Sequence, residues 1–338
     1  MSDNPQIGNL GEVKLIKIIE QLVKKKTRKP LIRDDAFFFD LLEIESHENL
    51  VLNSDMLVSS TDIPLQMNSY QIGKKSVIMN ISDLLVKGVQ PKGIILSLGL
   101  PKTLAKADFI DIITGIIDTS SKFNLKLIGG DINETKEIVI APTVFGFKHP
   151  SEIILRKGIK AENILVINKR FGLTGVGFDI LLNKNVAIDK IPNYTRSVKS
   201  VLEPEVSGIE ALFFSERKLA TSSIDSSDGL SKSLLDLMIS NPNIGFEIDF
   251  NEYLIDQEAF KYSQEYNAPL EDLVFNGGEE YIHLFTMNPN DFSKAKKIIQ
   301  SKGGDLFKVG KVISEESVYI LKENERIELK SKGFEHFN

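Results

Sequence analysis

Short apolar runs alternate along this chain with longer stretches of helical periodicity, a pattern that predicts an α/β architecture. Over residues 10–26, Leu10, Val13, Ile16, Ile19, Leu22 and Val23 share one face with lysines opposite, which predicts an amphipathic helix. The aromatic run after Asp34-Asp35 and the stretch Leu50–Val58 read as strands, the second with Asp55 inside it. Residues 73–88 (Val77, Ile81, Leu84, Leu85) and the face Phe109, Ile112, Ile113, Ile116 and Ile117 read as helices. A strand at 94–100, ended by Pro101, separates them, and strands follow at 125–131 and 138–147. Lys148-His149-Pro150 marks the exit from a first domain, dividing the chain into 1–150 and 151–338.

The second half opens with a strand at 164–167 and a glycine-rich entry into a helix over 171–182. Gly175-x-Gly177 is a poor phosphate fingerprint because Ile180 stands where a third glycine belongs, so helix packing is the better reading. A polar linker is expected at 181–195, a helix at 205–219 after Pro204, strands at 244–250 and 282–286, a helix at 291–302, and strands at 306–313 and 317–322. Between these lies Ser222–Leu230: an apolar approach, two aspartates three apart (Asp225, Asp228), Gly229, then Leu230, Leu234, Leu235 and Leu237 at helical spacing. This is a strand feeding a helix with carboxylates at the junction. Two readings stay open here: Ser227 or Asp228 caps the helix, or the acids hold a metal or phosphate.

Composition narrows the chemistry. The 338 residues can bury the cores of two domains. No apolar run reaches membrane-spanning length and no signal-peptide pattern opens the chain, so a cytoplasmic protein without a membrane partner is expected. The absence of cysteine excludes thiolate metal sites and thiol nucleophiles, and four scattered histidines argue against a histidine metal site. A net charge of −6 argues against nucleic-acid binding. Carboxylates, hydroxyls, backbone and Lys/Arg remain.

The carboxylates are distinctive in their placement. Asp34/Asp35, Asp55, Asp83, Asp131 and Asp225/Asp228 each sit in or at the end of an apolar element, where burial is costly unless a cation or hydrogen bonds compensate. If they converge, oxygen ligands without His or Cys select a hard cation, Mg²⁺ before Zn²⁺, and Mg²⁺ on a few carboxylates commonly serves phosphates. Gly73-Lys74-Lys75-Ser76 lacks P-loop spacing, and the protein-kinase motifs are missing. Gly129-Gly130 before Asp131 allows close backbone approach to a ligand or a tight turn.

In order along the chain, Asp34-Asp35-Ala36, Ser54-Asp55-Met56, Met79-Asn80-Ile81-Ser82-Asp83, Gly129-Gly130-Asp131, Arg156-Lys157-Gly158, Asp225-Ser226-Ser227-Asp228-Gly229 and Gly277-Gly278-Glu279-Glu280-Tyr281 resemble the thiamine-monophosphate kinase family, ending with Lys332–Phe337. Ser60-Thr61-Asp62 is similar to the archaeal branch. The resemblance implies the two-domain aminoimidazole-ribonucleotide-synthetase-like fold, with the N-terminal domain closing a β-barrel in a homodimer beside a C-terminal α/β domain. It implies direct transfer of the γ-phosphoryl of ATP to thiamine monophosphate, assisted by several Mg²⁺ ions. By the same resemblance Asp35, Asn53, Ser54, Asp55, Asp83, Asp131, Asp225 and Asp228 match metal positions, with Asp83, Asp131 and Asp225 central to the chemistry. Gly130, Asp131, Arg156 and Ser227 match ATP contacts; Asp62, Glu279 and Phe334 match positions that hold the thiamine portion. An already ionised phosphate acceptor needs no strong general base. The chain departs from the family pattern at Arg33, at Asn53 and at Glu280-Tyr281-Ile282, which bears on local loop shape. Relatives that rely on a cysteine are excluded; an ATP-dependent cyclo-ligase and a non-catalytic Mg–nucleotide-binding homologue are the alternatives.

Overall fold

The computed structural model describes residues 37–40, 47–184, 192–323 and 325–330. The expected helix at 10–26, Asp34, Asp35 and Phe334 lie outside the described residues, as does much of the expected linker.

The first half builds one sheet. Strands β1 (Phe37–Asp40), β2 (Asn49–Ser54), β3 (Leu57–Val58), β4 (Pro91–Leu100), β5 (Lys126–Glu134) and β6 (Val139–Lys148) lie in the order β1-β2-β6-β4-β5, with β3 also on β6. All pairs are antiparallel except β4 with β5, which helix α2 (Lys106–Lys122) connects. Asp55 interrupts the single strand expected at 50–58, leaving β2 and β3 on either side. Helix α1 (Ser69–Val86) begins four residues before the expected start, because Asn68 and Gln71 form a reciprocal capping box there. It is buried on nearly every side, including Lys74, Lys75, Ser76, Asn80 and Ser82.

The second half contains β7 (Ile164–Ile167), α3 (Leu173–Phe178), α4 (Thr195–Leu202), α5 (Ile209–Arg217), β8 (Ala220–Ser226), α6 (Leu230–Ser240), β9 (Gly245–Asp249), α7 (Gln257–Tyr266), α8 (Leu270–Phe275), β10 (Ile282–Met287), α9 (Pro289–Ser301), β11 (Phe307–Ile313), β12 (Val318–Lys322) and β13 (Glu325–Glu328). Its sheet runs β13-β12-β9-β11-β7-β10-β8, antiparallel except for β12 on β9. The helix expected at 205–219 forms only over 209–217, while α4 forms just before Pro204. Gly175 and Gly177 do serve packing: a Cβ would stand 2.2 Å from the Leu273 carbonyl oxygen and 2.3 Å from that of Ser197.

The halves meet through α1. Val86 joins Val166, Phe214 and Phe285 in an apolar layer on one face of the second sheet, and buried Lys87 donates to the Ser223 carbonyl at 2.9 Å. The first sheet stays open among the described residues, and its β5 edge is exposed throughout, with Ile128 at 54% and Ile132 at 63%. No helix among the described residues is long and apolar enough to cross a membrane.

Candidate active site

The carboxylates from the two halves converge where α1 docks on β8. Asn53, near the end of β2, donates through Nδ2 to Asp55 Oδ2 at 2.9 Å and to Asp83 Oδ2 at 2.6 Å. Asn80, one turn before Asp83 on α1, accepts the Asp55 backbone N–H at 2.8 Å and returns a bond to the Asp55 carbonyl. Ser82 crosses the domain boundary, its hydroxyl donating to Asp225 Oδ2 at 2.7 Å in a fully enclosed contact. Asn53 thus joins Asp55 to Asp83, and Ser82, the residue before Asp83 on α1, holds Asp225 of the other half.

Tyr281 stands among these acids. Its phenol is pushed well above its ordinary value first by burial and then by the negative charges of Glu279, Asp225, Asp55 and Asp62. Its backbone, like that of Glu279, is left-handed, with φ of 48° and 60°. Two bonds hold that conformation: the Glu279 N–H to the Ser227 carbonyl at 2.5 Å and the Tyr281 N–H to the Ser226 carbonyl at 2.9 Å. The 277–281 loop is thus laced to the end of β8.

At the start of α6 the helix-cap reading of Ser227 and Asp228 is overturned. The cap position is Gly229, with φ 97° and no side-chain cap bond; a Cβ there would also stand 2.8 Å from the Phe275 carbonyl oxygen. Ser233 ties the helix to the strand instead, donating to the Asp225 carbonyl at 3.0 Å. Ser227 is exposed and Asp228 half-buried at the loop surface.

Other expected site residues are placed differently. The Ser54 hydroxyl faces β6, donating to the Pro142 carbonyl and accepting from Thr143. Gly129 and Gly130 lie inside β5, not in a turn, and the close approach at Gly130 is to β4: a Cβ would stand 1.9 Å from the Leu96 carbonyl oxygen. Asp131, next along β5, is exposed opposite Ser97. Arg156 lies 3.7 Å from Asp236 of α6, and the preceding Leu155 carbonyl accepts from Ser223 of β8. Asp62 caps the turn before it, accepting the Val58 N–H at 2.6 Å.

Asn80, Ser82 and Lys75 were passed over as site residues by the acid pattern. Ser76, Asn80 and Asp83 recur at spacings of four and three, a polar stripe on α1 that could have been read as one face. The departure at Glu280 has a local role: its carboxylate accepts the Gly172 N–H at 2.7 Å and the Thr174 N–H at 3.3 Å, closing the start of α3.

Among the described residues no three acidic or histidine side chains form a metal cage by themselves; Asn53 links Asp55 to Asp83, and Ser82 holds Asp225. The donor chemistry, all carboxylate, amide and hydroxyl oxygen, nonetheless fits a hard cation shared with a ligand's phosphates.

Residues 33–147 match the AIR synthase related protein, N-terminal domain. The chain is 31% identical to the thiamine-monophosphate kinase of Nitrosopumilus maritimus, covering 98% of this chain and 100% of that protein. It is 30% identical to the thiamine-monophosphate kinase of Pyrococcus horikoshii over 85% of this chain and 86% of that one. In three dimensions it is similar to a solved structure of AaThiL complexed with AMPPCP and TMP, with a TM-score of 0.82, 24% identity, and coverage of 99% and 100%. The fold is the mixed α/β, two-domain one shared with these proteins.

Proposed function

The chain belongs to the thiamine-monophosphate kinase family, and from that premise we propose that it transfers the γ-phosphoryl of ATP directly, in line, to the phosphate of thiamine monophosphate, giving thiamine diphosphate and ADP. The observation that carries the reading is that Asp55 and Asp83 of one half, joined through Asn53, lie on the side where Ser82, the neighbour of Asp83, holds Asp225 of the other half. Donor and acceptor are both anionic, so the site must position two phosphates and offset their repulsion.

Asp35, Asn53, Ser54, Asp55, Asp83, Asp131, Asp225 and Asp228 would hold several Mg²⁺ ions. When bound, Mg²⁺ supplies charge neutralisation and a template for the two phosphates. Gly130, Asp131, Arg156 and Ser227 bind ATP, and Asp62, Glu279 and Phe334 hold the thiamine portion. The chain's own contribution is orientation. Asn80 holds the Asp55 backbone, Ser82 holds Asp225, and the left-handed loop at 279–281 brings Glu279 beside them. No side chain need remove a proton from an acceptor that is already ionised.

Residues 1–150 form the ATP- and metal-binding, dimerising domain and 151–338 the C-terminal domain. A homodimer in which two first sheets close a shared barrel is supported by the open sheet and by Leu127, Ile128 and Ile132 exposed along β5.

The test offers ATP and Mg²⁺ with thiamine monophosphate, free thiamine or formylglycinamidine ribonucleotide, each separately. Thiamine diphosphate formed only from the monophosphate is expected. Turnover of free thiamine, cyclisation of the ribonucleotide, or no turnover at all refutes the proposal.

A further inference from the structure

A lysine ammonium is among the costliest groups to enclose in protein, and it persists there only where partners compensate. Lys75 of α1 is fully buried. Its Nζ lies 2.6 Å from Glu279 Oε1 and donates to the Asp62 carbonyl at 2.5 Å. One ammonium therefore ties the turn at Asp62, in the first half, to the loop at Glu279, in the second.

Both tied residues are otherwise constrained. Asp62 turns its carboxylate back onto the Val58 N–H, and Glu279 sits on left-handed backbone held by the Ser227 carbonyl. The second carboxylate oxygen of Glu279, Oε2, is buried and has no hydrogen-bond partner among the described residues. A buried acceptor left without a donor is costly, so it is a site that a ligand's N–H or cationic group would complete. Burial pushes the Glu279 carboxyl up, and the Lys75 charge opposes that shift.

We propose that Lys75 is a positioning residue for the acceptor: it sets the separation of Asp62 and Glu279 and aims Glu279 Oε2 at the amino-bearing, cationic portion of the substrate. This rests on the reading that Asp62 and Glu279 hold the thiamine portion. Lys75 touches neither phosphate nor metal in this account and acts only through Glu279.

The role separates kinetically from a general structural one. Lys75→Met is expected to raise KM for thiamine monophosphate by about tenfold or more, the worth of one misdirected charged hydrogen bond, with KM for ATP changed less than about twofold. In a Glu279→Gln background the same substitution adds less than about twofold, because the two residues act as a unit. Lys75→Arg keeps the charge but not the point geometry, and is expected to raise KM for thiamine monophosphate selectively as well. That variant decides the question if the methionine leaves Glu279 too poorly compensated for the chain to fold. Parallel rises in both KM values, additive effects in the double variant, or an unchanged KM for thiamine monophosphate overturn the proposal. Absence of turnover by the unaltered enzyme would instead overturn the functional reading beneath it.

Discussion

Glu280 offers a measurable test of how burial and hydrogen bonding balance beside the site. It is 8% exposed, and burial pushes its carboxyl from an ordinary 4.5 up to about 7, against the pull of the Gly172 and Thr174 N–H groups. In the unfolded chain the group ionises near its ordinary value, so folding is opposed once the unfolded carboxyl has lost its proton and the folded one has not. The stability this group contributes is complete below pH 4.5 and is lost as pH rises to about 7. The full loss is about 3 kcal/mol, most of it between pH 5 and 8. Glu280→Gln keeps an oxygen for Gly172 and Thr174 and cannot ionise, and the Thr174 hydroxyl beside it can accept from the new amide. Replacing a carboxylate acceptor by an amide sacrifices about 1 kcal/mol of hydrogen bonding. The variant should therefore match the parent near pH 5 and exceed it by about 2 kcal/mol at pH 8. Urea unfolding of both proteins across that range measures the difference. A gap that does not change with pH, or a variant less stable at pH 8, refutes the reasoning.

Two further substitutions test the site and its frame. On the proposed function, Asp83→Asn should lower turnover by about 10²-fold or more, by removing one of the carboxylates assigned to the metal site. Its amide oxygen can still accept from Asn53, so thermal unfolding should move little; near-normal turnover would remove Asp83 from the site. Gly130→Ala should cost about 1–3 kcal/mol in chemical denaturation, because a Cβ 1.9 Å from the Leu96 carbonyl oxygen forces β5 away from β4. Gly129→Ala, with nothing within 4 Å of its Cβ, is the control and should stay within about 0.5 kcal/mol; equal effects at the two glycines would refute the steric argument.

The acids were legible in the sequence because a carboxylate in an apolar element is improbable as decoration. Asp55, Asp83 and Asp225 stood out on that ground: Asp55 and Asp83 share Asn53, and Asp225 is held by Ser82 next to Asp83. Their partners were not legible for the opposite reason. Lys75, Asn80 and Ser82 lie on a helix whose polar positions look like a solvated face until α1 is seen buried on nearly every side. Helix α4 falls between the expected linker at 181–195 and the expected helix at 205–219; Ser197 is buried against Glu258, and Val198, Val201 and Leu202 pack inward. The turn reading of Gly129-Gly130 fails because both lie inside β5, where Gly130 abuts the Leu96 carbonyl, while Gly175 serves the packing expected of it. Single-position improbability survives without coordinates, whereas the identity of a neighbour does not.

The junction at Asp225–Gly229 shows how cap and site are divided. A strand entering a helix needs donors satisfied at the helix start and a conformation that turns the chain. Gly229 supplies the turn, and Ser233 fastens the first helical turn back onto the Asp225 carbonyl. The Asp225 side chain is met by the Ser82 hydroxyl from the other half. That division has a consequence for assembly. Asp55 and Asp83 are organised within the first half by Asn53 and Asn80, while Asp225 receives the Ser82 bond where α1 docks on β8, a contact also made by Lys87 on the Ser223 carbonyl. Because the same helix carries Lys75, its docking sets at once the separation of the carboxylates and the separation of Asp62 from Glu279. The placement of the carboxylates and the separation of Asp62 from Glu279 are thereby properties of one helix–strand contact, and a displacement along it would shift both together.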